Sequence, residues 1–565
     1  MKNFAAIVVI VLSSLSFGCS KQAPAPETSD TGPVNGQLAA AQAALQIDGE
    51  YMRAIVKEIS DDRYEGRGPG TRGDDAARKY LADQMAALGL QPGAADGSWD
   101  QTFDLVGINA SQPATWIFEE DGKSLTLKQW EQFIVGSGVQ EPQSEISDAE
   151  LVFVGYGIQA PEFDWDDYKG IDLKGKVLVM MNNDPDWDPE LFAGETRLWY
   201  GRWDYKYLSA AQQGAAGAII IHTAPSAGYP FQVVQTSWTG VQFELPAGDE
   251  PRSQVKAWIT EDSARELVAM AGMDLDELRE QAYNRDFKPV PLGITTSIAF
   301  DNELTRVTTG NVLGLLPGSD PELKDEVVIY SAHHDHLGIG TPNAEGDAIY
   351  NGARDNGSGM ALTLAIARAM VALPEAPRRS VLFAFVGAEE QGLLGSEYYA
   401  NHPTFPRGKI AANINYDSVN IWGHSHDVTY VGLGKSTIDQ ILTDFATKQN
   451  RVVKPDQFAD KGYFYRSDQF NFAKIGVPAM YLKAGTDFID RPPEWGREQQ
   501  DKHTEEDYHQ PTDEYDPSWT FDGMVDDGLL GFWTGLAIAN ADEMPVWNVG
   551  DEFEAARIEA LAPAE

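Results

Sequence analysis

The segment that decides the fold reads Val327-Val328-Ile329-Tyr330-Ser331-Ala332-His333-His334-Asp335-His336-Leu337-Gly338-Ile339-Gly340. Its apolar beginning predicts a buried strand, and three of the chain's nine histidines follow within four residues. Open α/β sheets carry their chemistry at the carboxyl ends of the strands. Neutral imidazoles beside a carboxylate are ligands of first-row metals. The segment therefore indicates a metal site at a strand end, although by itself it fits a polar loop equally well.

Strands and helices alternate in the sequence around and after this segment. The predicted strands are 327–330, 381–386 and 411–416, and the predicted helices between them are 358–370 and 393–399. This order is typical of an α/β fold with a mostly parallel central sheet flanked by helices.

Ionisable residues follow each of these predicted strands or stand in the turns between them. They are His333 and Asp335, then Asp355 in a glycine-rich turn, Glu389 and Glu390, Asp417, and far downstream His509. Any one of them could be an ordinary turn residue or a charge at a helix N-terminus. Together they indicate a site, because chance rarely puts an ionisable group at the same end of every strand.

The size and charge of the chain limit the classes of function. Its 565 residues exceed the size of one hydrophobic core, so we expect more than one domain. Lys and Arg number 43 against 86 Asp and Glu, which gives a net charge of −43. Such a charge repels nucleic acid and anionic lipid, and it favours solubility and cations.

The amino terminus carries a predicted targeting signal. Lys2 precedes the apolar run 5–12, which is too short to span a bilayer as a lasting helix. The run leads to Leu15-Ser16-Phe17-Gly18-Cys19, which resembles a bacterial lipoprotein signal ending at a lipidated cysteine. Cys19 is the only cysteine of the chain, so it has no disulfide partner within it. We expect a lipid-anchored protein of the bacterial envelope, facing the periplasm or the exterior, with a soluble secreted protein as the alternative.

The sequence divides into six predicted segments. A signal peptide (1–19) and a flexible linker (20–36) precede a first catalytic part (37–146) that contains a helix over 74–88. Residues 147–300 resemble the protease-associated domain, a β-rich insert of several peptidases, through the predicted strands 151–157, 176–181 and 218–221. A second catalytic part (301–545) and a C-terminal tail (546–565) complete the chain.

Five motifs resemble those of the co-catalytic zinc aminopeptidases of peptidase family M28, and they stand in the family's order. They are Ala332-His333-His334-Asp335, Gly352-Ala353-Arg354-Asp355-Asn356, Ala388-Glu389-Glu390, Asn415-Tyr416-Asp417 and Tyr508-His509. The resemblance extends to Glu65-Gly66-Arg67-Gly68 and to Arg466-Ser467-Asp468. It covers about residues 50–145 and 305–545, with the insert between them.

The resemblance implies two Zn²⁺ ions per chain, with Co²⁺ or Mn²⁺ as alternatives. His333, Asp355 and Asp417 are implied to hold one ion. Asp355, Glu390 and His509 are implied to hold the other, so that Asp355 bridges the pair.

The resemblance also implies roles for neighbouring residues. Glu389 is expected to act as the general base and Tyr508 as a hydrogen-bond donor to the developing oxyanion, while Asp335 orients His333. His334 and His336 are expected to be pocket residues rather than ligands.

Two positions depart from the family pattern. Arg354 stands where a second aspartate is common, and Gln469 stands where a histidine often follows Ser-Asp. Neither is an implied ligand, so the departures bear on specificity. Arg354, Arg466 and Arg491 are candidates for binding a substrate carboxylate, although packing or surface roles are expected first. Residues 483–506 are expected to form a long loop along the cleft.

The sequence therefore predicts a metal-dependent exopeptidase that removes amino-terminal residues from peptides. A carboxypeptidase or dipeptidase on the same fold remains open, as does a one-zinc relative of the glutaminyl cyclases. A catalytically silent binding protein is a further alternative. The expected partners are peptide substrates and no nucleic acid, and the only expected membrane contact is a lipid on Cys19.

Overall fold

A computed structural model describes residues 33–188 and 191–562. The predicted signal peptide with Cys19, and the linker up to residue 32, lie outside the described residues. Within the described part, no helix is long and apolar enough to cross a membrane.

The first part of the chain supplies three helices and two strands. They are α1 (Pro33–Ala44), α2 (Gly49–Ile59), α3 (Arg72–Leu88), β1 (Gln91–Pro92) and β2 (Asp100–Ala110). Helix α1 begins at Pro33, within the last residues of the predicted linker. Helix α3 corresponds to the predicted helix: the hydroxyl of Thr71 accepts from the Asp74 N–H at its start, and Gly89 ends it at φ 90°.

The middle of the chain forms most of a second sheet with helices on it. Its strands are β3 (Thr115–Glu120), β4 (Lys123–Lys128), β5 (Phe133–Ser137), β6 (Gln143–Phe153), β7 (Gln159–Ala160), β8 (Trp165–Asp166), β9 (Val177–Met181), β10 (Gly217–His222), β11 (Val241–Glu244), β12 (Val255–Thr260) and β13 (Val290–Leu316). Its helices are α4 (Trp203–Gln212), α5 (Ala224–Ala227), α6 (Phe231–Ser237), α7 (Glu261–Met270) and α8 (Leu275–Ala282).

The last part alternates strands and helices. Its strands are β14 (Val327–His333), β15 (Gly338–Ile339), β16 (Ile349–Tyr350), β17 (Ser380–Val386), β18 (Ile410–Tyr416), β19 (Asp427–Val431), β20 (Val452–Pro455) and β21 (Ala479–Ala484). Its helices are α9 (Gly359–Val371), α10 (Leu394–Asn401), α11 (Ile438–Lys448), α12 (Gln469–Lys474), α13 (Trp495–Glu506), α14 (Asp522–Asn540) and α15 (Glu554–Leu561).

The central sheet has the strand order β13-β17-β14-β18-β21-β19-β20. The pairs β17–β14, β14–β18, β18–β21 and β19–β20 are parallel, which confirms the predicted fold class. Every residue of β14, β17 and β18 is buried because helices cover both faces. Val328 and Tyr330 pack into the core on one face, whereas Val327 and Ile329 pack into the core on the other.

The second sheet has the order β4-β3-β13-β6-β9-β10-β12-β5 and its own core. The long strand β13 joins the two sheets: Asp301 pairs with Gln143 in the second, and Asn302 pairs with Ala110 on the other side. The predicted end of the insert at residue 300 falls at this point. The predicted start at 147 lies inside β6, and β3 to β5, which precede it, also belong to the second sheet.

The C-terminal segment packs against the fold. Trp547 is buried and its indole N–H donates to the Gly476 carbonyl at 3.0 Å. Arg557 on α15 is 2% exposed and donates to the Ile410 carbonyl at 2.9 Å. The stretch predicted as a tail is therefore, up to residue 562, part of the folded structure.

Candidate metal centre

Three neighbouring parallel strands deliver ionisable residues to one edge of the central sheet. Strand β14 ends at His333, β18 ends immediately before Asp417, and the Glu389–Glu390 pair follows the end of β17. Because β17, β14 and β18 are adjacent and parallel, their carboxyl ends meet. The turn before α9 adds Asp355, and the segment after α13 adds His509.

The His333 ring faces two carboxylates. Its Nε2 lies 3.1 Å from Oδ1 of Asp355 and 3.5 Å from Oδ1 of Asp417, and the side chain is 1% exposed. Its Nδ1 lies 3.2 Å from the main-chain oxygen of Asp335. With Nδ1 held by that oxygen, Nε2 is the nitrogen that remains available toward the carboxylates.

His509 approaches the same cluster from the opposite side. Its Nε2 lies 3.0 Å from Oε2 of Glu390 and 3.7 Å from Oδ2 of Asp355. The two oxygens of Asp355 thus face two different histidines. The structure brings together all five residues that the sequence analysis singled out as metal ligands.

The donor set fits divalent metal ions. The Nε2 atoms of His333 and His509 are buried and have no hydrogen-bond partner, although carboxylate oxygens lie within 3.1 Å of each. Ligand atoms of His333, Asp355 and Asp417 lie within 4.8 Å of one another. Buried charges are costly unless they are paired or bind metal. Imidazole nitrogens with carboxylate oxygens suit zinc and neighbouring first-row metals.

His336 belongs to the cluster more closely than the sequence analysis expected. Its Nδ1 lies 2.6 Å from Oε1 of Glu390, its ring is fully buried, and its Nε2 has no hydrogen-bond partner. Ligand atoms of His336, Asp355 and Glu390 also lie within 4.8 Å of one another. In the sequence, the spacing His-x-Asp-His over residues 333–336 indicates that His336 could belong to the cluster, whereas the family's motif pattern implies His333 as the ligand.

Glu389 and Glu390 are held in place by the carboxylate of Asp335. The Glu389 N–H donates to Oδ1 at 3.0 Å and the Glu390 N–H donates to Oδ2 at 3.3 Å. His333 contacts Asp335 chiefly through the main-chain oxygen, since its Nδ1 lies 3.9 Å from Oδ1. The Asp335 side chain therefore orients the glutamate pair directly.

The Glu389 side chain points toward the metal-type cluster without pairing closely with a histidine. It is 9% exposed, and its Oε2 lies 4.0 Å from Nε2 of His333. Burial, with the negative charges of Asp417 and Glu390, raises the pKa of Glu389 well above its usual value. Burial also disfavours the charge of Glu390, but the positive charges of His509 and His336 hold its pKa well below the usual value. The pKa values of the two adjacent glutamates are therefore shifted in opposite directions.

Tyr508 lies at the mouth of the cluster. Its ring stacks on His509 with the centroids 3.9 Å apart, and the side chain is 46% exposed. Desolvation of the hydroxyl and the charges of Asp355 and Glu390 raise the pKa of Tyr508 well above 10, so it is a hydroxyl donor at neutral pH. This position fits a group that meets a ligand entering from solvent.

Residues that depart from the family pattern have packing contacts. Arg354 is buried, with its Cζ 4.3 Å from the Trp422 ring centroid and its Nη2 donating to the Ser418 carbonyl. Gln469 accepts from Asn415 and donates to the Phe464 carbonyl, so its amide is fully used. These two residues hold the loops around the site.

His334 links the site to helix α3. Its Nε2 lies 3.0 Å from Oδ1 of Asp74, and its Nδ1 lies 3.3 Å from the Phe385 oxygen. Both ring nitrogens thus have partners in the protein. This agrees with the expectation that His334 is not a ligand.

Two buried residues that the sequence analysis gave no role support the ligand loops. The Asp513 carboxylate accepts from the N–H groups of Arg354 and Asp355, each at 2.9 Å. The Arg67 guanidinium donates to the main-chain oxygens of His334, Asn351 and Gly352 and of Ile59, at 2.6 to 2.9 Å. Arg67 therefore fixes the loop after His333 against the loop before Asp355. Only the Glu-Gly-Arg-Gly resemblance pointed to it.

Replacing Arg67 with methionine is expected to lower the free energy of unfolding by at least about 3 kcal/mol. Arg67 is fully buried, and its removal takes the donor from the carbonyl oxygens of His334, Ile59 and Asn351, each costing about 1–3 kcal/mol if it stays unpaired, whereas Gly352 still accepts from the Gly357 N–H. Urea unfolding of the variant measures the change. The exposed Arg63→Met serves as the control, and an unfolding midpoint of Arg67→Met equal to that of the control would contradict this role.

The fold and the cluster define an α/β protein with a buried histidine–carboxylate site of the metal-binding kind. Comparisons with known proteins agree. Residues 311–532 match the sequence model of Peptidase family M28. In structure the chain is similar to an aminopeptidase from Aneurinibacillus sp. strain AM-1, with a TM-score of 0.51 and 20% identity over 89% of this chain and 97% of that one. This likeness shows that the two proteins share a fold.

Curated relatives match parts of the chain in sequence. The chain is 28% identical over 206 residues to probable leucine aminopeptidase 2 of Aspergillus fumigatus, covering 35% of this chain and 37% of that protein. It is 29% identical over 179 residues to leupeptin-inactivating enzyme 1 of Streptomyces exfoliatus, covering 32% of this chain and 36% of that protein. The matches thus span little more than a third of either relative.

Proposed function

We propose that this protein is a metal-dependent exopeptidase that removes amino-terminal residues from peptides. The observation that carries the proposal is the position of Asp355, whose two carboxylate oxygens face His333 and His509 on opposite sides. A carboxylate shared between two histidine-containing ligand sets is the arrangement that a two-metal hydrolase requires. The family match and the names of the curated relatives support the same class of enzyme.

The proposed cofactor is a pair of Zn²⁺ ions, for which Co²⁺ or Mn²⁺ can substitute. His333, Asp355 and Asp417 would hold one ion, and Asp355, Glu390 and His509 would hold the other. When bound, zinc supplies Lewis acidity and can lower the pKa of water from about 15.7 to about 7. His336 supports Glu390 through the contact of its Nδ1 with Oε1.

The proton transfers are assigned to Glu389 and the oxyanion contact to Tyr508. The Glu389 carboxylate accepts a proton from the attacking water and returns it to the leaving amine. Asp335 fixes the main chain of Glu389 for this task. The Tyr508 hydroxyl donates to the oxygen of the scissile carbonyl as negative charge develops there.

Carboxyl groups that are not proposed ligands are available to the amino end of a peptide. Glu389, Asp417 and the fully buried Asp468 surround His333, and their charges act on one another. Glu389 and Asp468 hold no metal ion in this proposal, and both oxygens of Asp468 lack a hydrogen-bond partner, so these carboxyl groups can accept hydrogen bonds from a peptide ammonium group. We further propose that a lipid on Cys19 keeps the enzyme in the bacterial cell envelope.

The proposal is tested with leucine naphthylamide and its N-acetyl derivative on metal-analysed protein. We expect hydrolysis of the free amine and a loss of at least about 100-fold on acetylation, since the ammonium group is removed. Chelator treatment should abolish the activity and added Zn²⁺ should restore it. Faster hydrolysis of the acetylated substrate, or of a dipeptide only when its carboxyl end is free, would favour a carboxypeptidase or dipeptidase instead. No hydrolysis by zinc-loaded protein would favour a binding protein.

A further inference from the structure

Three arginines act on one another where the second sheet meets the catalytic part, and two of them have guanidinium nitrogens without a hydrogen-bond partner. Arg197 is 4% exposed, and its Nε donates to Oδ1 of Asn183 at 2.9 Å. Arg466 has a buried Nε and Nη2 without a hydrogen-bond partner, and Arg202 has a buried Nε without one. Within the ranges 33–188 and 191–562, none of the three forms an ion pair at 4.0 Å or less.

The three side chains are close enough to repel one another. Burial lowers the pKa of Arg202 to about 10, and the positive charge of Arg466 acts in the same direction. Burial and Arg466 likewise lower the pKa of Arg197. Three carboxylates act on this group from beyond ion-pair distance: Asp184, which has the largest effect of any charge on Arg197, Asp460 and Asp204. Unpaired like charges at a half-buried site are costly, and a bound anion relieves that cost.

The arginine group belongs to both halves of the molecule. Arg466 precedes Ser467, whose hydroxyl accepts from the Asn415 amide at 2.8 Å, two residues before Asp417. The Arg466 Nη2 also reaches the middle segment of the chain. It lies 3.8 Å from the point where a Cβ atom would stand if Gly228 were replaced by alanine. The group therefore stands at the junction between the loops of the metal-type site and the second sheet.

A row of cations connects the arginine group to the candidate metal centre. The Lys483 Nζ lies 4.8 Å from the centroid of the Tyr463 ring, and the Arg466 Cζ lies 5.4 Å from the same centroid. Lys483 in turn feels the negative charge of Asp417. The Tyr463 ring thus separates Arg466 from Lys483, the cation on which the charge of Asp417 acts.

We propose that Arg197, Arg202 and Arg466 form a subsite for the carboxyl terminus of short peptide substrates. Guanidinium groups bind carboxylates through paired hydrogen bonds and stay charged when buried. An extended peptide spans about 3.3–3.6 Å per residue, so about three residues cover the distance from Lys483 to Arg466 across the Tyr463 ring. The inference rests on the proposed function, and it makes the enzyme selective for short peptides with a free carboxyl end.

The test measures binding to the zinc-loaded Glu389→Gln protein, which is not expected to turn over its ligand. Calorimetry compares Leu-Gly-Gly with Leu-Gly-Gly-amide. We expect the free acid to bind at least about 10-fold more tightly. Arg466→Gln should remove that difference by weakening the acid and leaving the amide unchanged, and Arg202→Gln should act in the same direction. Arg306→Gln, an exposed charge change on β13, should leave the difference intact.

Several outcomes overturn the subsite. Equal affinity for acid and amide would do so, as would an Arg466→Gln variant that weakens both ligands alike while its melting temperature matches that of the parent protein. A peptide amide with a glutamate side chain that binds as tightly as the free acid would assign the arginines to acidic side chains instead. Arg466→Lys is the second variant, for use if Arg466→Gln does not fold. It keeps the positive charge, so it is expected to retain part of the preference for the free acid over the amide.

The same ligands separate this inference from the proposed function. If the wild-type protein hydrolyses the acid and the amide with equal kcat/KM, the subsite fails and the peptidase assignment stands. If the acid binds selectively through Arg466 but no peptide is hydrolysed, the subsite stands and the peptidase assignment fails.

Discussion

The Glu389→Gln protein is expected to keep its metal ions and to lose at least about 1,000-fold in kcat. Glutamine retains the size of glutamate but cannot accept the proton of the attacking water. General acid–base groups contribute about 100- to 10,000-fold to a rate, and this residue is assigned both transfers. Glu389 is not one of the proposed ligands, so its replacement leaves that set intact, although its carboxylate lies within 4.8 Å of ligand atoms of His333 and Glu390.

The measurement for this variant combines leucine naphthylamide kinetics with metal analysis of the same sample. The exposed Glu322→Gln is the matched control for a lost negative charge, and it should keep full activity. A Glu389→Gln protein that retains more than about a tenth of the wild-type kcat would exclude Glu389 as the general base. A variant that has lost both activity and metal would show that Glu389 is a ligand.

The Asp355→Asn protein is expected to bind at most one metal ion with high affinity and to show no measurable activity. The carboxylate supplies one oxygen toward each histidine, at 3.1 Å from His333 and 3.7 Å from His509. Asparagine removes the negative charge and offers one oxygen only. The main-chain N–H of residue 355 still donates a hydrogen bond to the Asp513 carboxylate, so the loop should retain its conformation.

Metal analysis after dialysis against a dilute chelator measures this effect, with circular dichroism to verify the fold. Asp301→Asn, an exposed substitution on β13, is the control and should retain the metal content of the wild type. Two tightly held ions in the Asp355→Asn protein would contradict the bridging role.

The sequence predicted the central sheet well because its strands depend on short-range signals. The apolar run 327–330 and the polar residues that follow it are sufficient to define a buried strand with a functional end. Once the strands are parallel, the positions of Asp417 and the Glu389–Glu390 pair at the same edge follow from geometry. The distant His509 could be found only through the family's motif order.

Other features depend on contacts that no local pattern reveals. The second sheet begins at β3 rather than at residue 147, because strand β13 is long enough to pair with strands of both sheets. Helix α13 occupies 12 residues of the segment that was expected to be a loop. Its sequence is almost entirely polar and shows no apolar face, so the pattern of residues does not reveal the helix. The support that Arg67 gives arises from main-chain oxygens far apart in sequence.

The proposed function depends on two metal ions that share Asp355 in a single site, and the metal content of the wild-type protein tests this most directly. Mass spectrometric metal analysis of protein reconstituted with Zn²⁺ and dialysed should give two zinc ions per chain, with activity rising until the second is bound. A content of one ion per chain at full activity would contradict the bridged pair and favour a one-zinc enzyme. A content near zero would contradict the metal-dependent function altogether.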